Sequence, residues 1–127
     1  MNTVTLLKCK IHRATVTGAD LDYLGSLTLD PVLMEGAGLH EYERVLVADI
    51  TTGSRLETYI IRAERGSGEV CINGAAAHLV GKGDLVIIMA FREVEEADVK
   101  DYPPTVVFVD EKNSITEVRQ GEEWATP

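Results

Sequence analysis

Four short segments carry side chains that could do chemistry, and the first is Gly25-Ser26. A glycine before a serine leaves the peptide carbonyl unhindered, so that the serine hydroxyl could attack it. The attack would form an ester, and elimination would then leave a pyruvoyl group at position 26. The alternative is a plain turn, because glycine and serine are common turn residues.

The second segment has three potentially cationic side chains at alternate positions, Lys8, Lys10 and His12. On a regular strand they share one face, which could bind an anionic substrate. A solvated strand face with a half-buried histidine is the alternative. The opposite face would carry Leu7, Cys9 and Ile11.

The third segment places Arg55, Glu57 and Tyr59 on one strand face and Thr58 on the other. Arginine suits bidentate recognition of a carboxylate, and a positioned tyrosine can donate a proton. A surface arginine and a packed tyrosine are the alternative. If Thr58 and Tyr59 serve one site, the strand needs a bulge or the site needs two subunits.

The fourth segment is Asn73-Gly74-Ala75-Ala76-Ala77-His78. Its small residues would let a ligand lie against backbone N–H and C=O groups. The alternative is an Asn-Gly turn followed by the start of a helix at the alanines.

The elements that must position these segments are mostly short strands. The pattern predicts strands over residues 4–16, 27–29, 44–50, 55–63, 70–73, 85–91, 106–110 and 115–118. Asp30 and Pro31 predict the start of a short helix that ends at Gly36 or Gly38. Residues 18–25 read as an irregular connection. These elements predict a mainly β barrel or sandwich, and the number of strands does not distinguish between the two.

Composition excludes several classes of protein. The 127 residues predict a single domain with a net charge of −9, of which residues 92–127 hold ten acids and four bases. The sequence lacks a sizeable basic patch, which is the feature that indicates nucleic-acid binding. No apolar run has the roughly 18 residues that a membrane helix needs. Two cysteines and no secretory leader favour the cytoplasm. The histidines and cysteines lack metal-ligand spacing. Residues 119–127 are expected to be a frayed tail.

Taken in order from about residue 4 to residue 91, the chain resembles the pyruvoyl-dependent aspartate 1-decarboxylases. The resemblance is carried by 10-KIHR-13, 16-VT-17, 19-ADL-21, 23-YLGS-26, 52-TGSR-55, 58-TY-59, 63-AERGS-67, 73-NGAAAH-78, 83-GD-84 and 86-VII-88. It implies a small six-stranded double-psi β-barrel with short helices. It also implies a homotetramer with active sites between subunits, and self-cleavage into residues 1–25 and 26–127.

The resemblance also implies a reaction, the loss of the α-carboxylate of L-aspartate to give β-alanine for pantothenate and coenzyme A. The cofactor would be the pyruvoyl group of Ser26, which forms a Schiff base with the substrate, with no metal and no pyridoxal phosphate. Tyr59 would be the proton donor, Arg55 would hold a substrate carboxylate, and Thr58 would serve both cleavage at Gly25 and substrate contact.

Further positions match the family pattern in supporting roles. The resemblance implies that the backbone of Gly74, Ala75 and Ala76 contacts the substrate. It implies site or processing roles for Lys10, His12, Tyr23 and Asn73. Two other hypotheses remain, a pyruvoyl enzyme for another amino acid and a non-catalytic β-barrel module.

Overall fold

Strands dominate the computed structural model, which describes residues 2–22 and 26–121, so the predicted mainly β class is confirmed. The strands within those residues are β1 Thr3–Thr15, β2 Gly18–Asp20, β3 Ser26–Leu29, β4 Arg44–Asp49, β5 Arg55–Arg62, β6 Val70–Asn73, β7 Leu85–Glu95, β8 Thr105–Val109 and β9 Ile115–Gln120. One α-helix, α1, spans Pro31–Ala37, and two 3₁₀ helices span Gly74–His78 and Glu96–Asp101.

The strand order is β2-β6-β3-β5-β4-β7-β1-β8-β9. Only Val16 and Thr17 separate β1, near one end of this order, from β2, at the other end. The Thr17 N–H donates to the Val70 carbonyl at 2.8 Å, and the Val16 N–H donates to the Asp84 carbonyl at 2.9 Å. The β2 end of the sheet therefore returns to β1, and the sheet curls around its core.

The core lies on the concave side of this curled sheet. Its largest fully buried side chains are Ile11, Leu27, Leu29, Leu33, Ile60, Ile72 and Ile88. Leu33 lies in α1, and the others share the core-facing side of their strands, because successive side chains of a strand point to opposite faces. This alternation gives the site strands two distinct faces.

Two irregularities bend β1. Its pairing with β7 shifts register between Leu7 and Cys9 and again between Ile11 and Ala14, where Arg13 has φ 63°. Leu7 pairs with Phe91 whereas Cys9 pairs with Ala90, so Leu7 and Cys9 face opposite sides of the sheet. The prediction that Leu7 shares a face with Cys9 is therefore wrong, because the bulge at Lys8 inserts an extra residue.

The end of β3 is held by Asp30. This buried carboxylate caps α1 through the Val32 N–H at 2.9 Å and accepts the N–H groups of Gly66 and Gly68 at 3.0 and 2.8 Å. Burial alone would raise the pKa of Asp30, but the three backbone donors together lower it. The predicted cap is confirmed, and its carboxylate also anchors the loop that follows β5.

The structure differs from the predicted elements in several places. Residues 18–20 form β2 within the stretch predicted as irregular, because they pair with residues 71–73 of β6. Pairing with β1 extends β7 to Glu95, and pairing with β8 extends β9 to Gln120. No helix within residues 2–22 and 26–121 has the length and apolar character to cross a membrane.

A pair of carboxyl groups joins the β4–β5 turn to the start of β7. Asp49 is 2% exposed, and its Oδ1 accepts the Thr51 and Thr52 N–H groups at 2.8 and 3.1 Å. Burial raises the pKa of Asp49, and its hydrogen bond with Asp84 raises it further. The same bond lowers the pKa of Asp84. Protonation of the buried Asp49 carboxyl would therefore relieve the repulsion between the two side chains.

We expect Asp49→Asn to raise the free energy of unfolding by about 1 kcal/mol at pH 8. The amide keeps the acceptor for the two turn N–H groups and donates to Asp84 without taking up a proton. The wild-type pair loses stability as pH rises through the raised pKa of Asp49, so the difference should be near zero at about pH 4 and grow with pH. Urea unfolding at fixed protein concentration measures it.

Asp98→Asn, the same change at an exposed position, is the control and should leave the pH dependence of the free energy of unfolding unchanged. A lower free energy of unfolding for Asp49→Asn than for the wild type at pH 8 would contradict the raised pKa of Asp49.

Candidate active site

Ser26 opens β3 and is fully buried. It pairs with Asn73 at the end of β6, and the Asn73 Nδ2 donates to Ser26 Oγ at 3.0 Å. Gly25, the other residue of the predicted cleavage site, and Tyr23 lie outside the described residues. The structure thus joins two of the predicted site residues by a direct hydrogen bond.

Tyr59 lies on the strand beside Ser26. Leu27 pairs with Ile60 in the parallel register of β3 and β5, and extending that register by one residue brings Ser26 level with Tyr59. Directly paired residues face the same side of a sheet. Asn73, Ser26 and Tyr59 thus form one row across three neighbouring strands, with Tyr59 37% exposed at its open end.

Arg55 lies on the same face of β5 as Tyr59, four residues away and exposed. Among the described residues no carboxylate forms an ion pair with its guanidinium. The guanidinium of an exposed arginine without such a pair is available to bind the carboxylate of a ligand.

Thr58 occupies the opposite face of β5, partly buried beside the core residue Ile60. The pairing of β5 with β4 is regular from Arg55 to Tyr59, with no bulge. One chain therefore presents Thr58 and Tyr59 to opposite sides of the sheet, as the alternation predicts.

Gly74, Ala75 and Ala76 follow Asn73 directly and start a 3₁₀ helix. Gly74 is buried with φ 70°, a left-handed conformation that favours glycine, while Ala75 is exposed. The helical start that was the alternative for this segment is present as a 3₁₀ helix from Gly74, next to the row that contains Ser26.

Lys10 and His12 lie elsewhere on the sheet. Lys10 pairs with Met89, Met89 with Leu46, and Leu46 with Glu57, so three strand spacings, about 14 Å along the curled sheet, lie between Lys10 and β5. The His12 ring meets the Phe108 ring edge-on, with 5.7 Å between centroids. Among the described residues, the strand of Lys10 and His12 pairs with β7 and β8, whereas the strand of Ser26 pairs with β5 and β6.

Lys8 is not available as a third cation on that face. Its Nζ donates to both carboxylate oxygens of Glu43, at 3.1 and 2.9 Å, and both side chains are mostly buried. This pair joins β1 to the turn before β4 and neutralises the charge of Lys8.

Two residues of the site were not predicted. Thr28, two residues after Ser26 on β3, accepts the second Nδ2 hydrogen of Asn73 at 2.7 Å. Cys71, two residues before Asn73 on β6, donates its thiol hydrogen to Asn73 Oδ1 at 3.4 Å. The sequence could have indicated both residues, because each lies two positions from Ser26 or Asn73 and residues at i and i+2 share a strand face.

Burial favours the protonated thiol of both cysteines over the thiolate that would act as a nucleophile. Burial raises the pKa of Cys9 to about 11, and burial likewise raises the pKa of Cys71. A protonated Cys71 can serve as a hydrogen-bond donor. In the described parts of the chain, no cluster of three or more histidine, cysteine or acidic side chains could hold a metal ion.

Comparison with known proteins identifies the class of this site. Residues 1–116 match the family model described as aspartate decarboxylase. The chain is 54% identical to the aspartate 1-decarboxylase of Acetivibrio thermocellus over 119 residues, 94% of each chain. It is 60% identical to that of Myxococcus xanthus over 110 residues, 87% of this chain and 85% of the relative. With that of Clostridium beijerinckii the identity is 53% over 115 residues, 91% of this chain and 93% of the relative.

The site and these matches define a decarboxylase, a lyase that removes a carboxyl group as carbon dioxide. More particularly, the chain belongs to the aspartate decarboxylase family.

Proposed function

We propose that this protein removes the α-carboxylate of L-aspartate to form β-alanine, using a pyruvoyl group made from its own Ser26. The observation that carries the proposal is the row of Asn73, Ser26 and Tyr59 across three neighbouring strands. It places a hydrogen-bond donor on one side of the serine and the strand position of Tyr59 on the other. The relatives named aspartate 1-decarboxylase support the substrate.

Self-cleavage would start with addition of Ser26 Oγ to the Gly25 carbonyl carbon. The C–N bond breaks and the hydroxyl proton passes to the Ser26 nitrogen, which leaves an ester. Loss of the Cα proton to a base then breaks the Cβ–Oγ bond, and Oγ departs within the Gly25 carboxylate. Water displaces the remaining nitrogen as ammonia and leaves a keto group. The products would be residues 1–25 and 26–127.

The described surroundings of Ser26 fit this chemistry. The residue is fully buried at the first position of a strand, and Asn73 holds its Oγ with an N–H donor. A donor on Oγ favours the negative charge that this oxygen gains when it leaves as a carboxylate. We assign Thr58, on the opposite face of β5, to the cleavage step.

In decarboxylation the pyruvoyl group supplies an electron sink for the bond to the departing carboxylate. Arg55 would bind the side-chain carboxylate of aspartate, so that the α-carboxylate is the group lost. Tyr59 would donate a proton to the carbon that lost the carboxylate. The backbone of residues 74–76 would complete the contacts with the substrate.

We further propose that the active sites form between the subunits of a homotetramer. Thr58 and Tyr59 face opposite sides of a regular strand, and Lys10 and His12 lie three strands from β5. A neighbouring subunit could supply Lys10, His12 and one face of β5 to the site of the first. Tyr23 would belong to the same site.

The proposed barrel is a six-stranded double-psi barrel. If β1 and β2 are counted as one bent strand, six strands surround the core. The other five are β6, β3, β5, β4 and β7. β8 and β9 then lie outside the ring, paired to β1. We place the protein in the cytoplasm, in the pathway to pantothenate, which suits its two free cysteines.

Intact-mass spectrometry and an assay of β-alanine test the function together. We expect two fragments, the larger one starting with a pyruvoyl group at position 26, and β-alanine from L-aspartate. L-Glutamate, one methylene longer, is the matched substrate and should react poorly. A cut chain that prefers another amino acid would indicate a different pyruvoyl enzyme. A persistently uncut, inactive chain would contradict the proposal and favour a non-catalytic module.

A further inference from the structure

We infer that Thr28 is a positioning residue for self-cleavage, which acts by orienting the side-chain amide of Asn73 toward Ser26. The inference rests on the proposed function, because it concerns the same cleavage. Thr28 lies two residues after the reacting serine, on the same face of β3. Its hydroxyl accepts a hydrogen bond from the Asn73 amide, which also donates to Ser26.

The amide of Asn73 is held at both ends. Its two Nδ2 hydrogens go to Ser26 Oγ at 3.0 Å and Thr28 Oγ1 at 2.7 Å, and its Oδ1 accepts the Cys71 thiol at 3.4 Å. The side chain is almost fully buried, so a hydrogen that loses its acceptor is not compensated by water. Thr28 provides the acceptor that makes this orientation favourable.

The opposite orientation of the amide would be unproductive. Rotation by 180° would turn Oδ1 toward Ser26, so the amide would accept the serine proton instead of donating to Oγ. During cleavage Oγ changes from a hydroxyl to an ester oxygen and then to a carboxylate oxygen. Only an N–H on Oγ stabilises that last, charged state.

Without the Thr28 hydroxyl, the second amide hydrogen has no acceptor in the productive orientation, which favours rotation of the amide. We expect Thr28→Val to slow cleavage about tenfold, the effect of losing roughly one buried hydrogen bond. Valine keeps the β-branched shape that suits a strand. Thr28→Ser keeps the hydroxyl and should cleave within about twofold of the wild type.

The experiment follows the fraction of uncut chain by intact mass after synthesis in a cell-free translation reaction. Thr105→Val, the same change on β8 and remote from Ser26, is the matched control and should cleave at the wild-type rate. To test folding, the uncut Ser26→Ala and Ser26→Ala/Thr28→Val chains are compared by thermal unfolding and should have similar midpoints.

Wild-type cleavage by Thr28→Val would overturn the inference while leaving the proposed function intact. Equal slowing by Thr28→Ser would also overturn it, because the hydroxyl would then not be the cause, and so would a large drop in the unfolding midpoint. If the wild-type chain itself stays uncut, the proposed function fails and this inference fails with it.

Discussion

Replacing Ser26 with alanine is expected to yield a single uncut chain with no measurable decarboxylase activity. The change removes Oγ, the atom that attacks the Gly25 carbonyl and later leaves within the carboxylate. It also removes the acceptor of the Asn73 N–H donor, which lies 3.0 Å from Oγ. Intact mass measures the cleavage, and β-alanine formation from L-aspartate measures the activity.

Ser114→Ala, which removes a hydroxyl at an exposed position, is the control and should be cut and active. Circular dichroism should show the β-structure of Ser26→Ala unchanged, because the change deletes only one oxygen from the end of a strand. Two fragments from Ser26→Ala, or wild-type turnover by its uncut chain, would refute the role of Ser26.

Tyr59→Phe is expected to cleave itself normally and to lose turnover by about 100-fold to 10,000-fold, the range for a positioned proton donor. The phenol oxygen is the only heavy atom removed, and the residue is 37% exposed, so the ring keeps its packing. Because the proposed role concerns a proton transferred after substrate binds, kcat should fall much more than KM rises. Steady-state kinetics on the cut protein separate the two constants.

Tyr102→Phe is the matched control, since Tyr102 is 38% exposed and lies far along the chain, with the Arg92 guanidinium over its ring. It should retain wild-type kinetics. Normal kcat in Tyr59→Phe would refute the proton-donor role. Failure of Tyr59→Phe to cut would instead assign the phenol to processing.

Local patterns in the sequence predicted most of the elements and their faces. Asp30 followed by Pro31 predicted the start of α1, and the structure has that cap. Alternation along β5 predicted that Thr58 and Tyr59 face apart, and the regular register confirms it. These features depend on neighbours in the chain, which is why sequence alone can predict them.

The ordered motifs between residues 4 and 91 also predicted the family, and the match over residues 1–116 confirms it. No single motif could do this, since Gly-Ser and Asn-Gly are each ordinary turn sequences. Their order along one chain is what made the resemblance specific.

Only the tertiary structure decided which strands are neighbours, and with them the composition of the site. Periodicity tells which face a side chain takes but not which strand lies beside it, because strand pairing joins residues far apart in the chain. Asn73 and Ser26 are 47 positions apart, and the contact between Asn73 and Thr28 depends on the same pairing. The same pairing turned residues 18–20 into β2 and separated Lys10 and His12 from β5.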